Sequence, residues 1–311
     1  MRVRKIAYLA LLIFITACAQ TKSINLPRGI SLLKGINPVG LQYPIWSPDG
    51  TRIVLSYIIE PMGDPFNFFP PEPRHDIFII DTENWVAHLF LHADWGLKTE
   101  AWSRDGKSFA MLLDGTNGNG IYTFNLGDYR TVYLSSKAGT LSPDCGKIAE
   151  SDDKYISITD VHTQSAVNFK VPTNGSWYIS SWSPDMKQLT LIHRNHEDDR
   201  FDYIYLFDVN SGIFSQFTND NNYYKESPII SPNGQMIAYI IWRFTENSVE
   251  NKIMISRLDR SCEWSMPLDD VEYFTWSPDS QRLFILGMDG AYIAGLKTLF
   301  GSGFINGTHC P

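Results

Sequence analysis

The sequence predicts an all-β fold: a six-bladed β-propeller of four-stranded antiparallel blades, its ring closed by an N-terminal strand. Three observations carry this. A thirteen-residue segment recurs six times without a gap, the copies are spaced at the length of a four-stranded blade, and one unpartnered strand precedes the first copy.

The copies begin at Tyr43, Thr99, Ala138, Ile179, Ser227 and Tyr273, and the first reads Y-P-I-W-S-P-D-G-T-R-I-V-L. Their serines, Ser47, Ser103, Ser142, Ser183, Ser231 and Ser277, lie 56, 39, 41, 48 and 46 residues apart. In S-P-D-G, Ser opens a type I turn, Pro presets φ at the second position, and Gly accepts the last. The turn joins two antiparallel strands. Trp46, Trp102, Leu141, Trp182, Ile230 and Trp276 stand before it, and Ile53, Phe109, Ile148, Leu189, Ile237 and Leu283 come six residues after each serine. The second strand is apolar at successive positions, as in Ile53-Val54-Leu55, because neighbouring blades cover both of its faces. The four indoles therefore read as packing between blades.

A third strand follows in each unit: 76–81, 120–125, 155–160, 203–208, 252–258 and 291–294. Then come a polar turn and an outer strand, as in Thr82-Glu83-Asn84 and Val86 to Leu91. The last unit has no clear outer strand, and Ile30 to Lys34 stands where one would precede the first unit. The N-terminus is therefore expected to complete blade six, which leaves no open seam.

Ahead of the repeats, M-R-V-R-K and an uncharged run from Ile6 to Ala17 have the form of a secretory signal. Twelve such residues are too few for a permanent span, which takes about 20. The run ends in Ile15-Thr16-Ala17-Cys18, which resembles the lipobox of bacterial lipoproteins. The resemblance implies cleavage before Cys18 and acylation of that residue with palmitate-type chains, two or three of which hold firmly to a membrane. The expected organisation is a lipoprotein signal peptide at 1–17, a lipidated tether at 18–28 and the propeller at 29–311. Without Arg2, Arg4 and Lys5 the 26 basic residues fall to 23 against 34 acidic ones, a net charge of −11 that argues against nucleic acid as a partner. Ala19 is not the Asp that retains lipoproteins at the inner membrane of enteric bacteria, so an outer-membrane address is expected in a host with two membranes.

W-S-P-D-G followed by an apolar strand and a D-I-F-I-I-D-like strand resembles the TolB-type propeller repeat, over about residues 29–296. TolB carries an additional α/β domain ahead of its propeller, where this chain has only the tether. Similar repeats form the propeller of prolyl-oligopeptidase-like peptidases, whose separate hydrolase domain supplies G-x-S-x-G. That pentapeptide is absent here. Oligogalacturonate lyases also resemble TolB propellers and hold a metal with histidines inside the ring.

No catalytic constellation or cofactor site stands out. Of the seven histidines, only His193 and His196 lie beside carboxylates, in H-R-N-H-E-D-D, and the segment reads as a solvated acidic loop with a weak metal candidate in it. Cys145, Cys262 and Cys310 are isolated, which allows one disulfide and a leftover thiol. Strand order places Cys262 and Cys310 on adjacent blades at the S-P-D-G face, and predicts a bond between them with Cys145 free. The opposite face gathers Phe66, Phe68, Phe69, Trp95, Trp177, Tyr178, Tyr223, Tyr224, Trp242 and Phe244 on long loops, the candidate binding face. The expectation is a monomeric, membrane-tethered extracytoplasmic binding or scaffold module that contacts an envelope protein or a saccharide. The alternative is a metal-assisted polysaccharide lyase of the oligogalacturonate type.

Overall fold

The computed structural model describes residues 26–59, 74–93, 96–114, 120–136, 139–195, 202–220, 223–244 and 249–301. Strand β1 (Ile30–Leu32) precedes blade one, which is built from β2 (Leu41–Trp46), β3 (Arg52–Ile59), β4 (Arg74–Asp81) and β5 (Val86–Ala93). Blade two holds β6 (Gly96–Trp102), β7 (Ser108–Asp114), β8 (Gly120–Asn125) and β9 (Thr131–Ser135). Blade three holds β10 (Thr140–Leu141), β11 (Lys147–Ser151), β12 (Tyr155–Asp160) and β13 (Ala166–Lys170). Blade four holds β14 (Ser176–Trp182), β15 (Gln188–Arg194), β16 (Asp202–Asp208) and β17 (Phe214–Gln216). Blade five holds β18 (Tyr224–Ile230), β19 (Met236–Phe244), β20 (Val249–Arg257) and β21 (Glu263–Asp269). Blade six holds β22 (Val271–Trp276), β23 (Arg282–Gly287) and β24 (Ala291–Gly295), after which comes a short helix α1 (Leu296–Phe300).

The sheet order of blade six is β1-β24-β23-β22, so the N-terminal strand closes the ring as expected. It pairs antiparallel with β24, Ile30 opposite Ala294 and Leu32 opposite Tyr292. Leu33 and Ile36, just after it, are buried between blades six and one with Leu286, Phe284 and Trp46. At the other end of β24, the Leu296 N–H donates to the carbonyl of Gln281, which lies in the Ser-Pro-Asp turn of blade six. Gly295 N–H likewise donates to Gly29. The chain therefore enters the disc at its outer edge on the turn face.

Ile53, Val54 and Leu55 of β3 are each 0% exposed, which is the two-sided burial that the unbroken apolar run implies. Clusters straddle neighbouring blades: Val54 and Ile77 of blade one pack with Trp102, Phe109 and Met111 of blade two. The helix α1 was not anticipated. Its Leu296 is fully buried, and Phe300 lies 6.2 Å from Trp264 of blade five, which brings this end of the chain beside the turn holding Cys262.

The six serine turns, Ser-Pro-Asp in four blades, Ser-Arg-Asp in blade two and Ser-Pro-Asn in blade five, share the same bonds. The backbone N–H of Gly50, Gly106, Cys145, Met186, Gly234 and Ser280 donates to the carbonyl of its own serine at 2.8–2.9 Å. Each serine hydroxyl donates to the carboxylate or amide oxygen two residues on, and accepts the N–H five residues on, as Ser47 does with Asp49 (2.6 Å) and Arg52 (2.9 Å). The fourth turn residue has positive φ in all six, a type I turn completed by a left-handed residue. Cys145 (59°), Met186 (60°) and Ser280 (59°) hold that conformation without being glycine.

Three of the four indoles do more than pack. Trp102 Nε1 donates to Ile45 O at 3.2 Å, Trp182 Nε1 to Thr140 O at 2.9 Å and Trp276 Nε1 to Ile229 O at 3.1 Å, each reaching the inner strand of the preceding blade. Trp46, at the closing seam, is equally buried, but its Nε1 has no acceptor among the described residues. Between blades four and five, where Ile230 replaces Trp, Thr190 and Ser181 instead donate to Pro228 O at 2.6 and 3.0 Å.

Candidate functional site

Two surfaces are open to a partner, the axial channel and the loop-rich face around its mouth. The channel is lined by the innermost strands and serine turns of all six blades and has a volume of about 920 Å³. In five blades the inner strand carries a register shift, directly before the position of the Trp in blades one, two, four and five and between Val271 and Tyr273 in blade six. Such a bulge leaves a residue outside the ladder and re-aims its side chain. Glu100 sits at one of these bulges. Its side chain is 3% exposed, and Oε1 lies 2.9 Å from Lys98 Nζ without the alignment of a hydrogen bond. Burial raises the Glu100 carboxyl above its usual value, against the opposing pull of Lys98 and of the Leu141 N–H from blade three. Across the seam between blades one and six, Tyr43 and Tyr273 meet edge to face at 5.1 Å. Burial, then Tyr43, pushes the Tyr273 hydroxyl well above its ordinary range.

On the loop-rich face the structure separates the expected residues. Tyr178 is 49% exposed and Phe244 60% exposed, with Tyr224 and Trp242 partly exposed beside them. Tyr224 meets Phe244 edge to face at 5.3 Å, and Phe244 stacks with Trp242 at 6.4 Å. Trp242 Nε1 donates to Glu226 at 2.9 Å. Tyr223 turns inward against the cluster between blades four and five. Trp177 is not a surface residue: it is 2% exposed, packed on Tyr205 at 5.0 Å and Phe214 at 5.4 Å, because alternation along β14 sends it into the blade while Tyr178 points out. Phe66, Phe68, Phe69 and Trp95 lie outside the described residues.

The weak metal candidate also changes character. His193 and Arg194 are the last residues of β15, not part of a loop. The His193 ring is buried, lies 4.2 Å from the Trp177 ring, and has Nε2 3.2 Å from Thr173 Oγ1 and 3.1 Å from Asn174 O. A packed, hydrogen-bonded imidazole of this kind is not arranged as a ligand. His196 lies outside the described residues, and among those described no three His, Cys, Asp or Glu side chains come together as a metal site.

Sequence reasoning missed the ionic frame beneath the aromatics. Arg194 and Asp202 face each other across the β15–β16 pair and form a two-pronged ion pair, Nε to Oδ1 and Nη2 to Oδ2, both 2.8 Å. Asp202 is 1% exposed while Arg194 keeps 41% of its side chain exposed. Lys225 is buried at 1%, its ammonium donating to Asp220 Oδ1 (2.9 Å) and to the carbonyls of Tyr223 (3.2 Å), Asp202 (3.3 Å) and Asp220 (3.4 Å). The only sequence signal was the charge-rich stretch from Arg194 to Asp202, which reads as a solvated run until strand pairing brings its two ends together.

Of the cysteines, Cys262 is 5% exposed and disulfide-bonded, and Cys145 is a free thiol that burial pushes above its usual pKa. Cys310 lies outside the described residues, as do Cys18 and the signal segment.

No family model and no curated relative matches the chain. Solved structures do. TolB from Acinetobacter baumannii is 19% identical, with a TM-score of 0.57 over 79% of this chain and 64% of that one. A putative TolB from Agrobacterium tumefaciens is 14% identical, with a TM-score of 0.59 over 86% of this chain and 96% of that one. An oligogalacturonate lyase in complex with manganese is 11% identical, with a TM-score of 0.54 over 86% of this chain and 93% of that one. The chain spans less than two thirds of the length of the Acinetobacter protein. At these identities the likeness establishes architecture and leaves function to the site: the chain is similar in fold to the TolB-type six-bladed propellers.

Proposed function

We propose that this protein is a membrane-tethered extracytoplasmic binding or scaffold propeller whose loop-rich face contacts an envelope protein or a saccharide. The observation that carries the reading is the contrast between the two faces. One is six copies of the same turn with the same internal bonds, and the other bears unrepeated aromatics, Tyr178 and Phe244 among them, on a rigid ring. The sequence places these rings on long loops, but Tyr178, Tyr224, Trp242 and Phe244 belong to the strand ends that the loops join, where a rigid sheet fixes them beside the loops that commonly carry binding groups. The point of chain entry supports the same reading. A tether from Cys18 would reach the disc on its turn face, and 11 residues from Cys18 to Arg28 extend no more than about 40 Å. That geometry turns the loop-rich face away from the membrane and towards a partner. The likeness to a manganese-bound lyase supports a second reading, metal-assisted cleavage of a polysaccharide.

Two experiments test the proposal. Cys18→Ser should release the domain from membranes in detergent phase partitioning with its melting temperature unchanged, and a variant that stays membrane-bound overturns the tether. Elemental analysis of the purified protein should find no stoichiometric Mn, Ca or Zn; a full equivalent of one of them would favour the lyase.

A further inference from the structure

Resting on the reading that the loop-rich face binds, we propose that Arg194 and the rings around it form the contact point for a protein segment presenting a carboxylate beside an apolar side chain. Asp202, 1% exposed, holds the guanidinium by two bonds of 2.8 Å, so its direction is set before any partner arrives. A group fixed in advance loses little freedom on binding. Of the five N–H donors on a guanidinium, only two are spent on Asp202, and 41% of the side chain remains exposed. The remaining donors suit a second carboxylate.

The surroundings select the kind of partner. Tyr224 lies 6.0 Å beneath the guanidinium, and both Tyr178 and Tyr224 are close enough to act on its charge. Tyr178 is opposite Ile192, the same-face neighbour of Arg194 on β15, which places it diagonally across the pair. Beyond Tyr224 the surface becomes apolar, with Phe244 60% exposed and Val249, paired with it across the β19–β20 hairpin, 52% exposed. Arginine, tyrosine and tryptophan around a pre-set charge are the composition of protein-interface hot spots. Among the described residues, the Phe244 and Val249 side chains of this rim offer no hydrogen bonds to a sugar. The polar groove at the far side of blade four, lined by Lys154, Lys170, Asn174 and Asn195, has the opposite character.

A random-decapeptide display library selected against the purified domain tests this. Peptides enriched on the wild type should carry Asp or Glu next to an aromatic or aliphatic residue, and a synthetic hit should bind at least tenfold more weakly when its acid is changed to the amide. R194Q alone strands the buried Asp202, so the second target is R194Q/D202N, which removes both charges together. It should keep the wild-type melting profile and lose the acidic enrichment, and Y178A/F244A should lose the apolar part of the consensus. Enrichment without acidic residues, an unchanged consensus on R194Q/D202N, or Arg194-dependent binding of glucuronate but of no peptide would each overturn the assignment. The wider proposal for the loop-rich face would survive any of these results, because it is tested by cross-linking from that face and not by peptide chemistry.

Discussion

The two faces of the disc are built by different rules. On the turn face, serines 47, 103, 142, 183, 231 and 277 make one bond pattern six times, each hydroxyl donating to the side chain two residues on within its own turn. Among the described residues of the loop-rich face no such bond pattern recurs. Blade four contributes an ion pair, blade five a buried lysine and stacked rings, and blade three a polar groove. Repetition marks what the fold requires of every blade, and its absence marks where residues are free to serve something else.

The largest expected effect tests the ring on which both faces depend. Deleting residues up to 35 removes β1 and the buried Leu33, and should destabilise by several kcal/mol at about 25 cal/mol per Å² of newly exposed apolar surface, whereas deleting 19–28 should cost little. Equal melting temperatures would contradict strand closure. Next is Lys225→Met, which leaves three carbonyls and the Asp220 carboxylate without their donor. We expect a loss of about 3 kcal/mol in chemical denaturation, since stranded buried polar groups are costly. A loss below 1 kcal/mol would mean that water replaces the ammonium.

The indoles give a sharper internal comparison. Trp182→Phe loses a hydrogen bond that Trp46→Phe does not, so it should cost about 1 kcal/mol more, and equal costs would show that packing alone matters. On the turn face, Cys145→Gly relieves a left-handed residue and should stabilise by about 1 kcal/mol, with Gly106→Ala losing a similar amount.

The smallest effect depends on pH. The serine hydroxyl is the chief cause holding the carboxyls of Asp49, Asp105 and Asp185 below the ordinary 3.8. At Asp144 and Asp279 burial pushes upward but is outweighed by the serine and backbone donors. Groups depressed in the folded state contribute stability above about pH 3.8 that is lost as pH falls through the folded value. Blade five carries Asn233 at this position. Asn233→Asp should therefore raise the melting temperature slightly at pH 7 and not at all near pH 2; a gain that persists in acid would contradict the linkage.

How much of this could be read beforehand follows the same division. The turns and the apolar second strands were legible because each depends on local residue types repeated six times, and the closing strand because the last repeat lacked the outer strand that Ile30 to Lys34 could supply. The ends of three third strands also carried a signal, since Asp81, Asp160 and Asp208 each accept N–H groups of the turn that follows. Trp177 was misplaced because one-residue alternation along β14 decides whether a ring faces solvent or core. The Arg194–Asp202 pair was hidden by the intervening segment, and the caged ammonium of Lys225 by carbonyls, which no side chain announces. The alternation of indole bonds with the Thr190 and Ser181 bonds at the blade seams required the actual neighbours.

The claim that one face binds and the other only builds is tested most directly by placing a photo-cross-linking amino acid at Phe244 on the loop-rich face and, separately, at Lys187 on the turn face. The anchored protein is then irradiated in intact cells. Phe244 should yield a discrete cross-linked species that R194Q/D202N weakens, and Lys187 should yield none. Cross-links confined to Lys187 would contradict the account.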